Sequence, residues 1–409
     1  MIRHLWKLIW NRKKHHLLIV LEIMICFLAA FAAIAMGGNY LVRYRTPLGF
    51  SYQNVWTIDV RFVDPGGGSG TRNAEKAKKK GEERIDRMYR LAEVLEDFPE
   101  VSASALVGIP PYNDFSMRMS YRSDRTNFGY GFDSVSDTFP DTMDLQIIRG
   151  RSFGREDDGR NYDPVIINRE FAEKAFGSED PLGKSLGDGT GPDGRSSKIV
   201  GIFTDYRGRG ELAATGPFAI FRLSRDNPRS FFPTLLVRVR PGTSLAFEEK
   251  IVNRLQSMEK EWSFDVRPLE VQRRNYLKMR ILPLIILGVG AFFMILMVGS
   301  GLFGVLWMNV VRRTQEIGLR RAHGATAFAV CRQFLIEMLL IATLGIGLGS
   351  LLLLPLMPIL AFMSIIHMGT AFGCFIISAL LIYGIVAFCA LYPAIQATCV
   401  HPAEALHYE

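Results

Sequence analysis

No aspartate, glutamate, lysine or arginine occurs between Glu337 and Glu404, an interval of 66 residues. One membrane crossing takes about 20 apolar residues, so the interval reads as two crossings, at 338–366 and 371–397. The tight, uncharged turn between them is expected near His367-Met368-Gly369-Thr370, after Pro355 and Pro358 have weakened the helix. Two further apolar segments come earlier. Residues 17–36, LLIVLEIMICFLAAFAAIAM, are broken only by Glu22 and as a helix would span about 30 Å, the thickness of the hydrocarbon core. The helix is placed at 17–42. Residues 281–311 contain no charged side chain and supply the other span. Arg12, Lys13 and Lys14 before the first segment, and Ala33-Ile34-Ala35 within it, also fit a signal peptide. The length of the run, beyond the usual apolar region of about 7–15 residues, favours an uncleaved anchor.

The charges are elsewhere. Of 88 charged residues (48 Lys+Arg plus 40 Asp+Glu), 73 lie in residues 43–280, 38 basic and 35 acidic. The other ten basic residues form two groups: Arg3, Lys7, Arg12, Lys13 and Lys14, and then Arg312, Arg313, Arg320, Arg321 and Arg332. Cytoplasmic segments carry the excess of Lys and Arg. Residues 1–16, the segment 312–337 and the tail 398–409 are therefore expected in the cytoplasm, and the 238 residues of 43–280 outside it. The net charge of +8 could point to nucleic acid, but these basic residues adjoin apolar runs and read as membrane topology. No nucleic-acid partner is expected. RHLWKLIW (3–10) reads as an interfacial helix, and Glu22 and Glu337 are expected to snorkel towards the interface.

The outer region has a restricted chemistry. All five cysteines (Cys26, Cys331, Cys374, Cys389, Cys399) and all seven histidines (His4, His15, His16, His323, His367, His401, His407) lie outside 43–280. A disulfide, a cysteine nucleophile, a Ser-His-Asp triad and a His or Cys metal site are excluded there. Its pattern is α/β. VWTIDVRF (55–62) reads as a strand, 64–81 as a Gly- and Lys-rich loop, and the next segment as a helix with Ile85, Met88, Ala92 and Leu95 on one face. VSASALVG (101–108) reads as a strand. After a β-rich middle section, the order repeats: LLVRVR (235–240), a helix with Phe247, Ile251, Val252, Leu255 and Met258 inward, and FDVRP (264–268). The fold class expected is a multi-pass α-helical membrane protein with four transmembrane helices. Its large α/β extracytoplasmic domain is a split ferredoxin-like core plus a β-rich lobe.

Three local motifs bear on function. Gly183-Lys184-Ser185 looks like the end of a phosphate-binding loop, but five residues separate Gly183 from Gly177 where four are required. It reads as a turn, and no ATP hydrolysis is expected from it. RRTQEIGLRRAHGATAFAV (312–330) is richer. Thr314 can cap a helix that has Glu316 near its start and Arg320 and Arg321 near its end, as the helix dipole favours. Gly324 can end it and Thr326 can start the next helix. A short docking helix at the cytoplasmic face is expected. Third, Gly345 and Gly349 form a G-x-x-x-G pair that allows close helix packing, within the bundle or in a dimer.

EIGLRRAHGAT (316–326), with YPAIQATCVHPAEALHYE (392–409), resembles the FtsX-like permease family of ABC transporters. VIINREFAEKAFGSEDPLGKSL (165–186) and SKIVGIFTDYR (197–207) resemble the MacB-like periplasmic core domain. The resemblance covers most of the chain. It implies a non-enzymatic permease that pairs as a homo- or heterodimer in the bacterial inner membrane, above an ATPase. Arg313, Glu316, Ile317, Gly318, Arg320, Arg321, Gly324 and Ala325 would couple to that ATPase, whose nucleotide-driven closure moves the helices. This chain itself would then need no cofactor or metal, with ATP bound by the partner. The implied activity is efflux or extraction of a lipophilic or peptide-like substrate, with a periplasmic adaptor or outer-membrane channel as further partners. The alternative is a signalling permease whose outer domain activates a cell-wall hydrolase. Macrolide exporters of the family carry their ATPase in the same chain. Here a separate ATPase subunit is expected. His323 stands where the family usually has an aliphatic residue.

Overall fold

The computed structural model describes residues 13–62, 74–123, 126–190, 195–223, 225, 234–312, 319, 326–362 and 368–399. They begin with α1 (Lys13–Arg45), β1 (Val55–Phe62), α2 (Ala74–Glu96) and β2 (Val101–Val107). Shorter elements follow: β3 (Met117–Arg122), β4 (Asn127–Val135), α3 (Phe139–Met143), β5 (Ile147–Gly150), β6 (Tyr162–Asn168), α4 (Arg169–Phe176), β7 (Ser185–Thr190), β8 (Ser196–Phe203) and β9 (Phe218–Arg222). Then come β10 (Thr234–Val239), α5 (Phe247–Met258), β11 (Trp262–Pro268), α6 (Leu269–Arg312), α7 (Ala327–Phe362) and α8 (Met368–Cys399). The chain divides into two compact units, Met1–Val42 with Arg280–Glu409, and Arg43–Met279.

In the unit Arg43–Met279 the strands form one sheet, ordered β11-β1-β10-β2-β4-β9-β6-β8-β5, with β3 on β4 and β7 on β8. The first four are all antiparallel neighbours. Two strand–helix–strand units interleave there, β10 lying between β1 and β2, which is the split ferredoxin-like arrangement. The helices form because their apolar residues recur every three or four positions and need a surface to cover. From α2, Ile85, Met88, Leu91 and Leu95, and from α5, Phe247, Ile251 and Leu255, join Ile58, Leu106, Leu235 and Val266 in one buried cluster. Two details differ from the sequence reading. Residues 74–81, expected in a loop, already belong to α2, because Ala, Glu and Lys are strong helix formers; residues 63–73 lie outside the described residues. Met258, expected inward, is 40% exposed, since it is the last residue of α5 and lies past the turn that meets the sheet.

The second lobe pairs β4 with β9 and β6 with β8 in parallel. Asn168 builds its entry to α4: its Oδ1 accepts the N–H of Phe171 at 3.0 Å and of Phe218 at 2.8 Å, and its Nδ2 donates to Gly216 O at 2.9 Å. The cap delivers Phe171, fully buried, among the rings of Tyr121, Phe128 and Tyr130 at 5.3, 5.3 and 5.0 Å. Phe171→Ala is expected to cost about 3–5 kcal/mol by lost transfer energy and the cavity left behind. A thermal melt of the full chain checks this, and an unchanged midpoint would contradict it.

In the other unit, Ile19, Ile23, Phe27 and Phe31 of α1 share a core with Met338, Ile341, Ala342 and Ile346 of α7 and Ile382, Val386 and Ala390 of α8. Among the described residues, four helical stretches are long and apolar enough to cross a membrane: Leu17–Arg45, Leu269–Gly301, Cys331–Pro358 and Gly369–Pro393. Helix α6 begins twelve residues before the uncharged run at 281. Absence of charge marks where a bilayer can begin, whereas helical hydrogen bonding continues through Arg273, Lys278 and Arg280. Pro355 and Pro358 lie inside α7 rather than ending it, and Met368-Gly369-Thr370, expected as a turn, are helical. A long apolar helix tolerates proline where neighbouring groups take up the freed carbonyls. Residues 363–367 lie outside the described residues. Glu337 is 5% exposed, so it is packed inside the protein and does not snorkel. Glu22 is half-buried, its Oε2 3.6 Å from where a Cβ on Gly301 would sit.

Candidate functional site

The sequence-derived coupling positions Arg313, Glu316, Ile317, Gly318, Arg320, Arg321, Gly324 and Ala325 lie outside the described residues. At the downstream edge of this segment, Thr326 precedes α7 and its Oγ1 accepts the N–H of Ala329 at 3.3 Å, a side-chain cap on the helix start.

Gly345 and Gly349 lie within the helix bundle. A Cβ on Gly345 would sit 2.7 Å from Cγ2 and 2.9 Å from Cβ of Ile23, and 3.0 Å from Val20 O. On Gly349 it would sit 2.7 Å from Cδ1 of Phe27. The pair is the groove in α7 that admits α1 of the same chain.

Gly183-Lys184-Ser185 sits at the entrance to β7 rather than at a helix N-terminus. Gly183 has φ +81°, and Lys184 Nζ bonds Glu179 Oε2 at 2.6 Å and lies 5.2 Å from the Phe176 ring centroid. The lysine is committed to a neighbouring carboxylate in a turn, with no helix dipole behind it to hold phosphate. Among the described residues no three His, Cys, Asp or Glu side chains are placed to hold a metal ion.

Among the described residues of the outer unit is a dense polar constellation that sequence reasoning did not single out. It surrounds the turn 205–213. Arg207, 2% exposed, donates from Nη1 to the carbonyls of Arg43 at 2.7 Å and Thr46 at 2.9 Å. Its Nη2 donates to Ala213 O at 2.8 Å and to Glu211 O. Buried Glu211 pairs with Arg273 near the start of α6. The rings of Phe50, Tyr112, Tyr206 and Tyr276 pack around this group, with centroids 5.4–6.0 Å apart. Burial, together with nearby Arg43, lowers the Arg207 pKa from its usual value. Burial and the charge of Glu211 raise the Tyr112 phenol. The only local signal was the glycine-flanked DYRGRG (205–210), which says turn but not buried arginine.

One further titratable group stands out. Asp133 of β4 is 3% exposed. It takes the N–H of Ser134 on Oδ1 at 2.7 Å and that of Ile109 on both oxygens, at 3.1 and 3.2 Å. Those backbone donors favour the carboxylate, yet burial outweighs them and pushes the carboxyl up to about 8.

The profile of the MacB-like periplasmic core domain matches residues 17–254, more than half of the chain. The chain belongs to the MacB-like family. The profile of the FtsX-like permease C-terminal region matches residues 288–402, and the chain is an ABC transporter permease of the MacB and FtsX type. It is 27% identical over 284 residues to the macrolide export ATP-binding/permease protein MacB of Hahella chejuensis, covering 66% of this chain and 41% of that protein. To YknZ of Bacillus subtilis, an uncharacterized ABC transporter permease, it is 25% identical over 305 residues, covering 72% of this chain and 73% of the relative. The crystal structure of the periplasmic region of MacB from Actinobacillus actinomycetemcomitans covers 56% of this chain and 94% of that one, at 15% identity and a TM-score of 0.35.

Proposed function

We propose that this MacB-type permease converts ATP-driven motion in the cytoplasm into efflux or extraction of a lipophilic or peptide-like substrate beyond the membrane. The observation that carries the reading is that one chain matches both the outer core domain and the permease C-terminal region. Similarity to the Hahella macrolide export ATP-binding/permease protein supports efflux. The family implies an ABC ATPase partner. In this reading that ATPase is a separate subunit which binds and hydrolyses ATP, so the permease needs no cofactor of its own. Two permease chains pair, and an adaptor or outer-membrane channel continues the path. The positive-inside rule supports a cytoplasmic place for both termini and the segment 312–337, and a periplasmic one for the outer unit.

Coupling is assigned to Arg313, Glu316, Ile317, Gly318, Arg320, Arg321, Gly324 and Ala325. Reversing the charge of Arg320 and Arg321 together, by Arg320→Glu with Arg321→Glu, is expected to abolish both capture of the ATPase and its stimulated ATP hydrolysis. Intact complex and stimulation would sink the assignment. Crosslinking from Phe115, exposed on the outer unit, separates cargo from other partners. Capture of a cell-wall hydrolase there would replace efflux with signalling.

A further inference from the structure

Two stretches of chain leave the outer unit towards apolar spans, and one turn holds both of them. The first is the end of α1. The last four carbonyls of a helix have no partner within it and carry the negative end of its dipole. Arg207 answers this with a guanidinium that takes the carbonyl of Arg43 in that last turn and of Thr46 just beyond it. Its main-chain N–H donates to Leu48 O at 3.0 Å. In return Arg43 Nη1 reaches Leu212 O at 3.1 Å. Gly49, at φ +80°, passes so close that a Cβ there would sit 1.7 Å from Asp205 O, so the two backbones touch with no room for a side chain.

The second stretch is the start of α6. Glu211 binds Arg273, whose guanidinium lies 4.6 Å from the centroid of the Tyr52 ring. Gly210, at φ +95°, faces Tyr276 and Tyr112: a Cβ there would sit 2.7 and 2.9 Å from their rings. Tyr112 N–H donates to Gly208 O at 2.7 Å, and its ring meets that of Tyr276 at 5.8 Å. One nine-residue turn thus contacts the end of one spanning helix, through Arg207 and Leu212, and the beginning of the next, through Gly210 and Glu211.

The chemistry is a poor choice for stability alone. The four side-chain bonds of Arg207 all go to main-chain carbonyls, none to a carboxylate. Arg207 Nε and Glu211 Oε2 are buried without a hydrogen-bond partner among the described residues. Apolar packing of similar volume often matches or exceeds the stability of buried ionic groups. What the guanidinium adds is geometry, because its planar fork places several donors at once.

We propose that the turn 205–213 is the joint through which displacement of the two membrane helices enters the outer domain, with Arg207 as its positioning residue. This rests on the transport reading above. The joint keeps the end of α1 and the start of α6 in register, so the outer domain moves with them as a pair.

The test uses the full chain with its ABC ATPase in lipid nanodiscs, comparing hydrogen exchange with and without ATP and vanadate. The wild type is expected to show nucleotide-dependent protection changes in residues 43–50 and 269–279 and in the strands of the outer unit. In Arg207→Met, ATP hydrolysis and the response of residues 269–279 are expected to persist while the outer-strand response is lost. A merely structural role would instead lower hydrolysis and stability together. Should Arg207→Met fail to fold, Arg207→Lys keeps the charge without the fork, and its outer response is expected to fall below that of the wild type. A variant that responds as fully as the wild type overturns the joint. A wild type whose outer strands ignore nucleotide overturns the transport reading, and the joint with it.

Discussion

Gly345→Leu is expected to prevent the membrane bundle from assembling, whereas Gly347→Leu, two residues away, leaves it intact. At Gly345 even a methyl group would lie 2.7–3.0 Å from Ile23 and Val20 O. Ile23 is β-branched and stiff at χ1, and Val20 O belongs to the backbone of α1, so neither can move aside cheaply. A leucine must push the two helices apart along their shared seam. Overpacking a tight core typically costs about 1–3 kcal/mol. Separation also strips contacts from Phe27, which meets Gly349 one turn further on. Gly347 faces open space, with nothing within 4 Å of a Cβ. Size-exclusion profiles of the two variants in detergent provide the measurement. Loss of the monodisperse peak in both, or in neither, would contradict intrachain packing through this groove.

Asp133→Asn is expected to raise the stability of the outer unit at pH 8 and to change it little at pH 4. An unfolded aspartate titrates near 3.9, whereas in the folded chain this carboxyl titrates at about 8. The folded state therefore holds the proton more tightly. The stability it contributes is complete below about pH 4, is lost as pH rises towards about 8, and is level above that. The slope in this window is roughly 1.4 kcal/mol per pH unit. Asparagine keeps the carbonyl oxygen that accepts the N–H groups of Ser134 and Ile109 but removes the titration. The thermal midpoint of variant minus wild type should climb across pH 5–8. A level difference across that range would show that burial does not govern this carboxyl.

The parts legible in the sequence rest on local signals. A membrane span announces itself by lack of charge, and an amphipathic helix by apolar spacing. Ile85, Met88, Ala92 and Leu95 carried their burial in that spacing. Helix ends within long apolar or charged runs were less legible. The start of α6 and the course of α7 through Pro355 and Pro358 depend on neighbours that supply or accept hydrogen bonds. At 205–213 the glycines marked a turn, but the buried arginine that makes it a joint was not legible. Arg207 meets Arg43 and Thr46 across more than 160 residues of chain, and nothing beside it in sequence marks it as buried.

By itself, the sequence determined the family, the membrane-spanning character and the two strand–helix–strand units, because each is written in periodicity, composition or motif over a few dozen neighbouring residues. Only the tertiary structure decided where Gly345 and Gly349 pack, that Asp133 is buried, and that one arginine holds the end of α1. These are properties of distant segments brought together. Their energies come from steric exclusion, lost hydration and hydrogen-bond geometry, which exist only once the partners are in place.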